Sequence, residues 1–430
     1  MDKIKIAVLG LGNVGQGVVT MLESQKERLA KNAGCVIELG KVLEKYLTKK
    51  RDVQLPEGLC TNRWEDILND QSISVVVETI GGIEPARTYI LQALQAGKNV
   101  VTANNDLLAE YGGELFQAAR DAKRDLYFEN SVGGAIPVVG VLRQNMSACR
   151  LSQIMGIING TTNHVLTRME QGIDFYKALA EAQEMGITEP DPMSDADGLD
   201  AARSIAILAT LAFHSQVRFE DVYAEGISSI TGDDIAIAKS LGYKIKAVAI
   251  CRNDGEAIEV RVHPALIPFA HPLSGVKDTY YAIFIKGDEL DETMFYGLGA
   301  GRWPSAVGVL DDVVAVVRNI QNHCVGRLNA IENRGLPILP MSKVRTRFYL
   351  RIRLADEPGA LAAVTEILGN RHVSIARVNQ TIMDKGVAEV VFITHEALEG
   401  DMREAAAAIG ELPVTKRILS LLRVEGDHHA

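Results

Sequence analysis

Short hydrophobic runs alternate with helical patterns over the first third of the chain. Runs this short and this rich in β-branched residues are typical of strands buried on both faces of a parallel sheet. Five such runs lie at Ile4–Leu9, Val36–Leu43, Ser74–Thr79, Asn99–Thr102 and Asp125–Glu129. Apolar residues recur at helical spacing from Val18 to Leu29 and again between the later runs. The alternation predicts an α/β domain built on a doubly wound parallel sheet.

The pattern changes near residue 135, where a second set of strands and helices begins. The predicted strands are Leu151–Ile158, Ala247–Cys251, Ile258–Pro264 and Tyr280–Lys286, and the predicted helices are Phe175–Met185, Ala201–Phe213 and Ile235–Leu241. This mixture predicts an α+β domain. The glycine-rich segment Tyr296–Gly301 leads to a helix predicted from Ser305 to Ala330, which is expected to return to the first domain.

Pro337 and Pro340 mark a predicted linker to the last part of the chain. Strand patterns alternate there with helical ones in the order βαββαβ, which predicts a small ferredoxin-like module. The predicted strands include Arg347–Leu354, Val373–Val378 and Glu389–Thr394. The resulting domain limits are 1–135 with 303–335 for the first domain, 136–302 for the second and 345–425 for the third.

Composition narrows the possible classes of protein. The chain has 430 residues, which is too long for one ordinary core, and a net charge of −10, which argues against nucleic acid as a partner. Its five cysteines form no CxxC pair, so buried thiols in a reducing compartment are expected. A strand pattern begins at Ile4, with no signal peptide before it, and no apolar run reaches membrane-spanning length. We therefore expect a cytoplasmic protein with no membrane contact.

A GxGxxG motif stands between the first predicted strand and the first predicted helix. In a Rossmann domain, the first glycine forms the turn, the second admits a pyrophosphate and the third allows close packing of helix and strand. The residues predicted to bind a dinucleotide here are Gly10, Gly12, Asn13, Val14 and Gly15. Because N–H groups at a helix start attract phosphate, this position suits NAD or NADP.

The end of the second predicted strand usually distinguishes NAD from NADP. An acidic residue there binds the ribose 2′-hydroxyl, whereas basic residues accept a 2′-phosphate. Here Glu44 and Lys45 stand side by side, one of each kind. Lys45 is included among the predicted cofactor residues, and the choice between NAD and NADP stays open.

Two polar segments in the second domain predict a substrate site. In the first, Gly156–Asn163, a strand end runs into a turn with hydroxyl and backbone donors, among them Thr161. The second, from Glu189 to Asp200, carries five carboxylates. Carboxylates this dense repel one another unless a cation lies among them, so they predict a site for an ammonium group or a metal ion.

With these features together, the chain resembles homoserine dehydrogenase over its whole length, ending in an ACT regulatory domain. The matching segments are Glu78–Ala86, Val100–Asn104, Gly156–Asn163, Asp195–Arg203, Glu225–Ile227, Phe295–Gly297, Gly299–Gly301, Asp356–Leu361 and Val373–Ile375. The resemblance implies an NAD(P)-dependent oxidoreductase that interconverts aspartate semialdehyde and homoserine in threonine, methionine and isoleucine biosynthesis.

The resemblance also implies roles for particular residues. Glu189 and Asp200 would hold the substrate, and Gly186 would lie between substrate and cofactor. Asn105 and Gly301 would contact the dinucleotide. A sodium ion or another monovalent cation would bind at Glu129, Val132, Gly134 and Ile136, largely through backbone carbonyls. Asp356, Gly359 and Ala360 would bind the effector, expected to be threonine, and the chain would form a homodimer or homotetramer.

Two residues depart from the family pattern at its acid–base positions. Asn105 and Ser204 stand where the family has lysines, and neither supplies positive charge or an acidic proton. Together with Asp200, they are the predicted catalytic positions. Three interpretations follow: a homoserine dehydrogenase with weakened chemistry, a dehydrogenase for another small carbonyl compound or hydroxy acid, or a non-catalytic regulatory paralogue that binds dinucleotide and amino acid.

Overall fold

The computed structural model describes residues 3–48, 50–188, 192–328, 333–384 and 386–426. The chain divides into two compact units. The first unit is Met1–Ile154, Asp200–Val222 and Thr279–Leu336, and the second unit is Met155–Leu199, Tyr223–Asp278 and Pro337–Ala430.

The helices and strands are numbered in chain order. The first half of the chain contains β1 (Lys3–Leu9), α1 (Asn13–Ser24), α2 (Lys26–Ala33), β2 (Val36–Leu43), β3 (Cys60–Thr61), α3 (Glu65–Leu68), β4 (Ile73–Glu78), α4 (Ala86–Gln95), β5 (Asn99–Thr102), α5 (Asn105–Ala122), β6 (Leu126–Tyr127), β7 (Leu151–Ile157), α6 (Gly160–Glu170), α7 (Phe175–Glu184), α8 (Pro192–Ala196) and α9 (Leu199–Phe213). The second half contains β8 (Tyr223–Ala224), α10 (Gly232–Ser240), β9 (Tyr243–Asn253), β10 (Ile258–Pro268), β11 (Tyr280–Gly287), β12 (Asp291–Leu298), α11 (Arg302–Gln321), β13 (Arg345–Ala355), α12 (Ala360–Asn370), β14 (Ile375–Asp384), β15 (Val387–Thr394), β16 (Ala397–Leu398), α13 (Glu399–Gly410) and β17 (Thr415–Val424).

The first unit contains a six-stranded parallel sheet in the order β3-β2-β1-β4-β5-β6. The order reverses at β1, so the ends of β1 and β4 form the switch point where such sheets bind nucleotides. Apolar residues of β1, α1 and α11 pack into one core, among them Val8, Val19 and Val313. The predicted Rossmann sheet is confirmed.

The second unit contains an antiparallel module in the order β17-β13-β15-β14, with α12 and α13 packed on one face. Residues of α6, α7 and α10 pack against the other face, where they meet Tyr349, Val391 and Leu422. The parallel pair β10 and β17 extends the sheet, with Ala265 opposite Arg423. The βαββαβ order of the last part of the chain is therefore confirmed.

Three predicted elements have different limits in the structure. The helical pattern Val18–Leu29 belongs to α1 and α2, which are separate helices on either side of Gln25. The helix predicted to run from Ser305 to Ala330 is α11, which begins at Arg302 and ends at Gln321. Asp125–Glu129 keeps only the two-residue strand β6, because a 3₁₀ turn begins at Glu129.

Candidate functional site

The turn between β1 and α1 has the geometry that a pyrophosphate requires. Gly10 has φ +91°, which favours glycine, and a Cβ on Gly15 would lie 2.0 Å from the Gly10 carbonyl oxygen. At Gly12 an added Cβ would meet no described atom within 4 Å, so the backbone there is open to a ligand. Asn13 begins α1, whose first N–H groups point toward the same opening. The predicted residues Gly10, Gly12, Asn13, Val14 and Gly15 therefore form a cradle suited to a dinucleotide phosphate.

Glu44 at the end of β2 fixes this turn. Its carboxylate accepts hydrogen bonds from the N–H groups of Leu11 (3.1 Å) and Tyr46 (3.2 Å) and pairs with Arg51 at 2.8 Å. Burial raises the pKa of Glu44, but these hydrogen bonds and the Arg51 charge outweigh it and the pKa is lowered. Lys45, in contrast, is exposed, with its ammonium 5.3 Å from the centre of the Tyr46 ring. The Glu44 carboxylate is therefore already hydrogen-bonded and ion-paired, whereas the Lys45 side chain is accessible to solvent.

The start of α11 lies beside the same turn. Gly301 precedes α11 with φ +123°, and the next residue, Arg302, donates from Nε to Oδ1 of Asn13 at 3.0 Å. Arg302 also pairs with Asp52 at 2.8 Å. A Cβ on Gly17 would lie 2.8 Å from the Arg302 carbonyl oxygen, so α1 and α11 pack closely. The structure thus brings Gly301 near the dinucleotide cradle.

The loops after β4 and β5 hold Asn105 at the first position of α5. Glu78 accepts hydrogen bonds from the Ile80 N–H (2.7 Å) and the Thr102 hydroxyl (2.5 Å), and burial raises the pKa of Glu78. Asn104 donates from Nδ2 to the Gly82 carbonyl (2.7 Å) and caps α5 by accepting from the Leu107 N–H (3.0 Å). This buried network fixes the backbone that carries Asn105.

The three predicted catalytic positions meet in the first unit. Asn105 donates from Nδ2 to Oδ1 of Asp200 (3.2 Å) and to Oγ of Ser204 (3.0 Å). Ser204 is buried, and Oδ1 of Asn105 is buried with no hydrogen-bond partner among the described residues. Asp106, the residue after Asn105 on α5, pairs with Arg203, the residue before Ser204 on α9, at 2.9 Å. The charged pair is therefore adjacent to the cluster, which itself contains one carboxylate and two neutral side chains.

A second group of predicted residues meets in the second unit. Asp195 accepts from Nδ2 of Asn159 (3.0 Å) and from the Thr161 hydroxyl (2.9 Å), and all three residues are buried. The Thr161 hydroxyl also lies 3.2 Å from the carbonyl of Ile187, the residue after Gly186. Gly186 has φ +67° and is exposed. Glu189 and Asp191 lie outside the described residues.

The predicted cation segment is a tight buried turn. The Glu129 carboxylate accepts from the N–H groups of Val139 (2.7 Å) and Gly140 (2.6 Å), and burial raises its pKa. Gly134 has φ +61°, and a Cβ there would lie 2.2 Å from the Gly299 carbonyl oxygen. Val132 and Ile136 are buried beside this turn. Within the described ranges, no three His, Cys, Asp or Glu side chains come together in a group that could hold a metal ion, and sodium at these carbonyls stays a prediction.

The predicted effector residues form the turn between β13 and α12. Asp356 is exposed, its N–H donates to the Gly386 carbonyl (2.9 Å), and Gly359 precedes α12 with φ +91°. Ala360 is buried and begins the helix. A helix start with accessible N–H groups can receive a carboxylate, but effector binding by these residues stays a prediction.

Three residues organise these sites in ways that the sequence patterns do not predict. Asp195 orients Thr161, Glu44 fixes the glycine turn, and Lys246 is buried with its ammonium 2.8 Å from the Val276 carbonyl and 3.3 Å from Asn163. Burial lowers the pKa of Lys246 to about 8. The two polar segments had marked Asp195 and its partners Asn159 and Thr161, but not the hydrogen bonds between them, because a residue pattern does not fix side-chain pairing between distant segments.

Comparison with known proteins connects these sites to one family. The family model for homoserine dehydrogenase matches residues 137–314, that for its NAD binding domain matches 10–129, and that for the ACT domain matches 348–414. The chain is 41% identical over 431 residues to the homoserine dehydrogenase of Bacillus subtilis, with 99% of each chain covered. It is 42% identical over 433 residues to that of Synechocystis, with 98% of this chain and 99% of the relative covered.

Solved structures agree with the sequence relatives. A homoserine dehydrogenase from Thiobacillus denitrificans superposes with a TM-score of 0.93 at 39% identity, covering 99% of both chains. The enzyme from S. aureus superposes with a TM-score of 0.79 at 30% identity, covering 99% of this chain and 100% of that one. No helix in the described part of the chain is long and apolar enough to span a membrane. The full-length matches, the dinucleotide cradle and the ACT module show that this chain belongs to the homoserine dehydrogenase family of NAD(P)-dependent oxidoreductases.

Proposed function

We propose that this chain binds a nicotinamide dinucleotide and homoserine but interconverts homoserine and aspartate semialdehyde slowly. The observation that carries the proposal is the hydrogen-bonded cluster of Asn105, Asp200 and Ser204, in which Asn105 reaches Asp200 at 3.2 Å and Ser204 at 3.0 Å. The neutral side chains stand where the resemblance places two lysines. The cluster therefore offers the substrate oxygen hydrogen bonds but no ammonium group.

The chemistry of the reaction explains why this matters. The bound nicotinamide supplies or accepts the hydride. The aldehyde oxygen gains negative charge in one direction, and the hydroxyl must lose a proton in the other. A positioned acid or base typically contributes about 10²–10⁴-fold in rate, and a fixed cation stabilises the developing charge. Asn105 and Ser204 can orient the oxygen, but they provide neither contribution.

Restoring the lysines tests the proposal. The double variant Asn105→Lys, Ser204→Lys should raise kcat for homoserine oxidation by about 10²–10⁴-fold, measured with saturating dinucleotide. Both positions are changed together because their side chains share one cluster. The matched control Asn105→Gln, Ser204→Gln adds length without charge and should give no gain.

Two results would contradict the proposal. Fast homoserine turnover by the unaltered chain would show that another group already moves the proton. A double lysine variant that binds homoserine but gains no rate would favour one of the other two interpretations. Turnover of a different alcohol by the unaltered chain would then select the dehydrogenase of another substrate, and its absence would select the regulatory paralogue.

We further propose that NADP is the preferred cofactor. Glu44, the residue that could bind the ribose 2′-hydroxyl, already accepts two backbone N–H groups and pairs with Arg51. Lys45 beside it is exposed. A 2′-phosphate placed at the end of β2 would therefore find a cation and no unsatisfied carboxylate.

The ACT module supports a proposal about assembly and regulation. In the described part of the chain, β14 pairs on one side only, with β15, and exposes Val378 (47%), Ile382 (69%) and Met383 (48%). A long apolar edge strand is a template for pairing with another chain. We propose that two copies pair along β14 into a homodimer or homotetramer, and that threonine binds beside Asp356, Gly359 and Ala360 at that junction.

A further inference from the structure

A buried arginine on the last strand of the ACT module reaches out of the module to β8. Arg423 on β17 is 2% exposed. Its guanidinium donates to carboxylate oxygens of Glu225 and Glu399 and lies 5.5 Å from the centre of the Tyr223 ring. Burial alone would lower the pKa of Arg423, but the two carboxylates outweigh it and raise the pKa. Arg423 is therefore a charged cross-link between β17, α13 and the segment that follows β8.

The segment held by Arg423, residues 225–227, packs directly on the acidic loop, residues 195–198. The N–H of Glu225 donates to the Val262 carbonyl (2.8 Å), and the N–H of Ile227 donates to the Ala196 carbonyl (3.0 Å). A Cβ on Gly226 would lie 2.7 Å from that Ala196 oxygen and 2.9 Å from Cα of Asp197. The backbones of 225–227 and 195–197 are therefore in direct contact.

The acidic loop in turn fixes the hydroxyl predicted to face the substrate. Asp195, next to Ala196, is hydrogen-bonded by Thr161 at 2.9 Å and by Asn159 at 3.0 Å. The N–H of Gly198 donates to the Asp195 carbonyl (3.0 Å), which closes the loop on itself. A continuous set of contacts thus connects β17 with Thr161, entirely within the second unit.

We propose that Arg423 is a positioning residue for the acidic loop: through Glu225 and Gly226, it holds residues 195–198 in the conformation that orients Thr161. Tyr223 supports the same contact, since its hydroxyl donates to Glu225 at 2.8 Å and receives a hydrogen bond from Arg403 at 2.6 Å. Any change in the ACT module that moves β17 is thereby transmitted to the loop.

Amide hydrogen exchange tests the loop directly, without any ligand. In Arg423→Gln, the amides of Asp197, Gly198 and Ile227 should exchange about tenfold faster, relative to amides of β9 that report global unfolding. Arg423→Lys keeps the charge and should restore part of the protection. The matched control Arg252→Gln removes another ion pair near β17, with Glu425 at 2.8 Å. It should change only the exchange of the β9 amides that report global unfolding.

A second variant keeps the test valid if Arg423→Gln does not fold. Glu225→Gln removes the charge of the partly exposed carboxylate that Arg423 contacts. It leaves Arg423 paired with Glu399. It should also speed exchange at Asp197, Gly198 and Ile227 selectively. Unchanged exchange at these amides in both variants, relative to β9, would overturn the inference.

Ligand binding gives an independent readout that rests on the proposed function. In Arg423→Gln, calorimetry should show homoserine Kd weakened about tenfold, with dinucleotide Kd unchanged. Equal homoserine Kd in the variant and the unaltered chain would overturn the inference. If the unaltered chain bound no homoserine, the proposed function would fail, whereas the exchange result would still decide the role of Arg423.

Discussion

Glu44 stands where Rossmann domains bind the ribose, but here it fixes the glycine turn instead. The end of β2 normally offers its acidic side chain to the ribose. Here both Glu44 oxygens are engaged, by the Leu11 and Tyr46 N–H groups and by Arg51. The lowered pKa keeps the carboxylate charged at neutral pH, so the turn stays fixed. Recognition of the ribose is then left to neighbouring cations, of which Lys45 is exposed.

Reversing the charge of Lys45 should separate the two cofactors. In Lys45→Glu, the Kd of NADP should rise about tenfold, or about 1.4 kcal/mol, because the 2′-phosphate would meet a carboxylate. The Kd of NAD should stay within about twofold. Lys31→Glu makes the same charge change in the last turn of α2, before β2 begins, and serves as the control. Calorimetry with both dinucleotides measures the difference, and equal losses for both would contradict the role of Lys45.

Sequence reasoning located the residues of the candidate site better than their partners. The glycine motif sits where it was predicted, and Asn105, Asp200 and Ser204 do come together. The ion pair between Asp106 and Arg203 is not predicted by the sequence patterns, although each residue stands next to a predicted catalytic position. Side-chain pairing between α5 and α9 depends on the rotation of each helix, and residue spacing along one helix does not fix that. The engagement of Glu44 was missed because its partners Leu11 and Arg51 lie in loops, whose conformation the residue pattern does not fix.

Among the elements, α11 shows why a periodic pattern can extend past a helix. Apolar residues continue at helical spacing beyond Gln321, which predicted a helix to Ala330. The backbone instead turns at Asn322, and His323 has φ +54°, in the left-handed region that cannot continue a helix. At its other end, Gly301 with φ +123° starts α11 at Arg302, three residues earlier than predicted. Termini depend on one or two backbone angles, whereas the predicted strands depend on longer patterns and were located well.

In the β1–α1 turn, Gly15 is required for close packing, whereas Gly12 leaves space for the phosphate. Substituting each glycine should therefore have a different effect. Gly15→Ala places a methyl 2.0 Å from the Gly10 oxygen and 2.8 Å from the Thr79 hydroxyl, so the turn must shift. The free energy of unfolding should fall by about 1–3 kcal/mol. Gly12→Ala meets no described atom within 4 Å and has an ordinary φ of −71°, so its Tm should change little. Its dinucleotide Kd should nevertheless rise at least about tenfold, because the methyl occupies the phosphate approach.

The two variants are compared by thermal unfolding and dinucleotide titration. A Gly12→Ala protein that binds dinucleotide normally would show that the phosphate lies elsewhere. A Gly15→Ala protein with unchanged Tm would show that the turn can relax around the added methyl.

For the molecule as a whole, the edge strands of its sheets are the places where a second copy of the chain could pair. Residues 376–383 of β14 are all exposed, whichever face of the strand they lie on, so the helices of the module do not cover this edge. In the first unit, β12 also pairs on one side only among the described residues, with β11, and exposes Met294 (38%), Tyr296 (54%) and Leu298 (41%). These two edge strands, β12 and β14, offer apolar surfaces of the kind that a homodimer or a homotetramer would need.

Disrupting β14 should therefore change both assembly and regulation. Val378→Lys, Ile382→Lys places two charges on the exposed strand and should reduce the sedimenting mass, because like charges would face each other across paired strands. If threonine binds at the junction of two modules, the threonine-induced rise in Tm should be lost in the same variant. Tyr176→Lys, at a residue 74% exposed on α7, adds a charge elsewhere and should leave both properties unchanged. Unaltered mass in the β14 variant would contradict pairing along this strand, and a smaller species that keeps the threonine response would place the effector within a single ACT module.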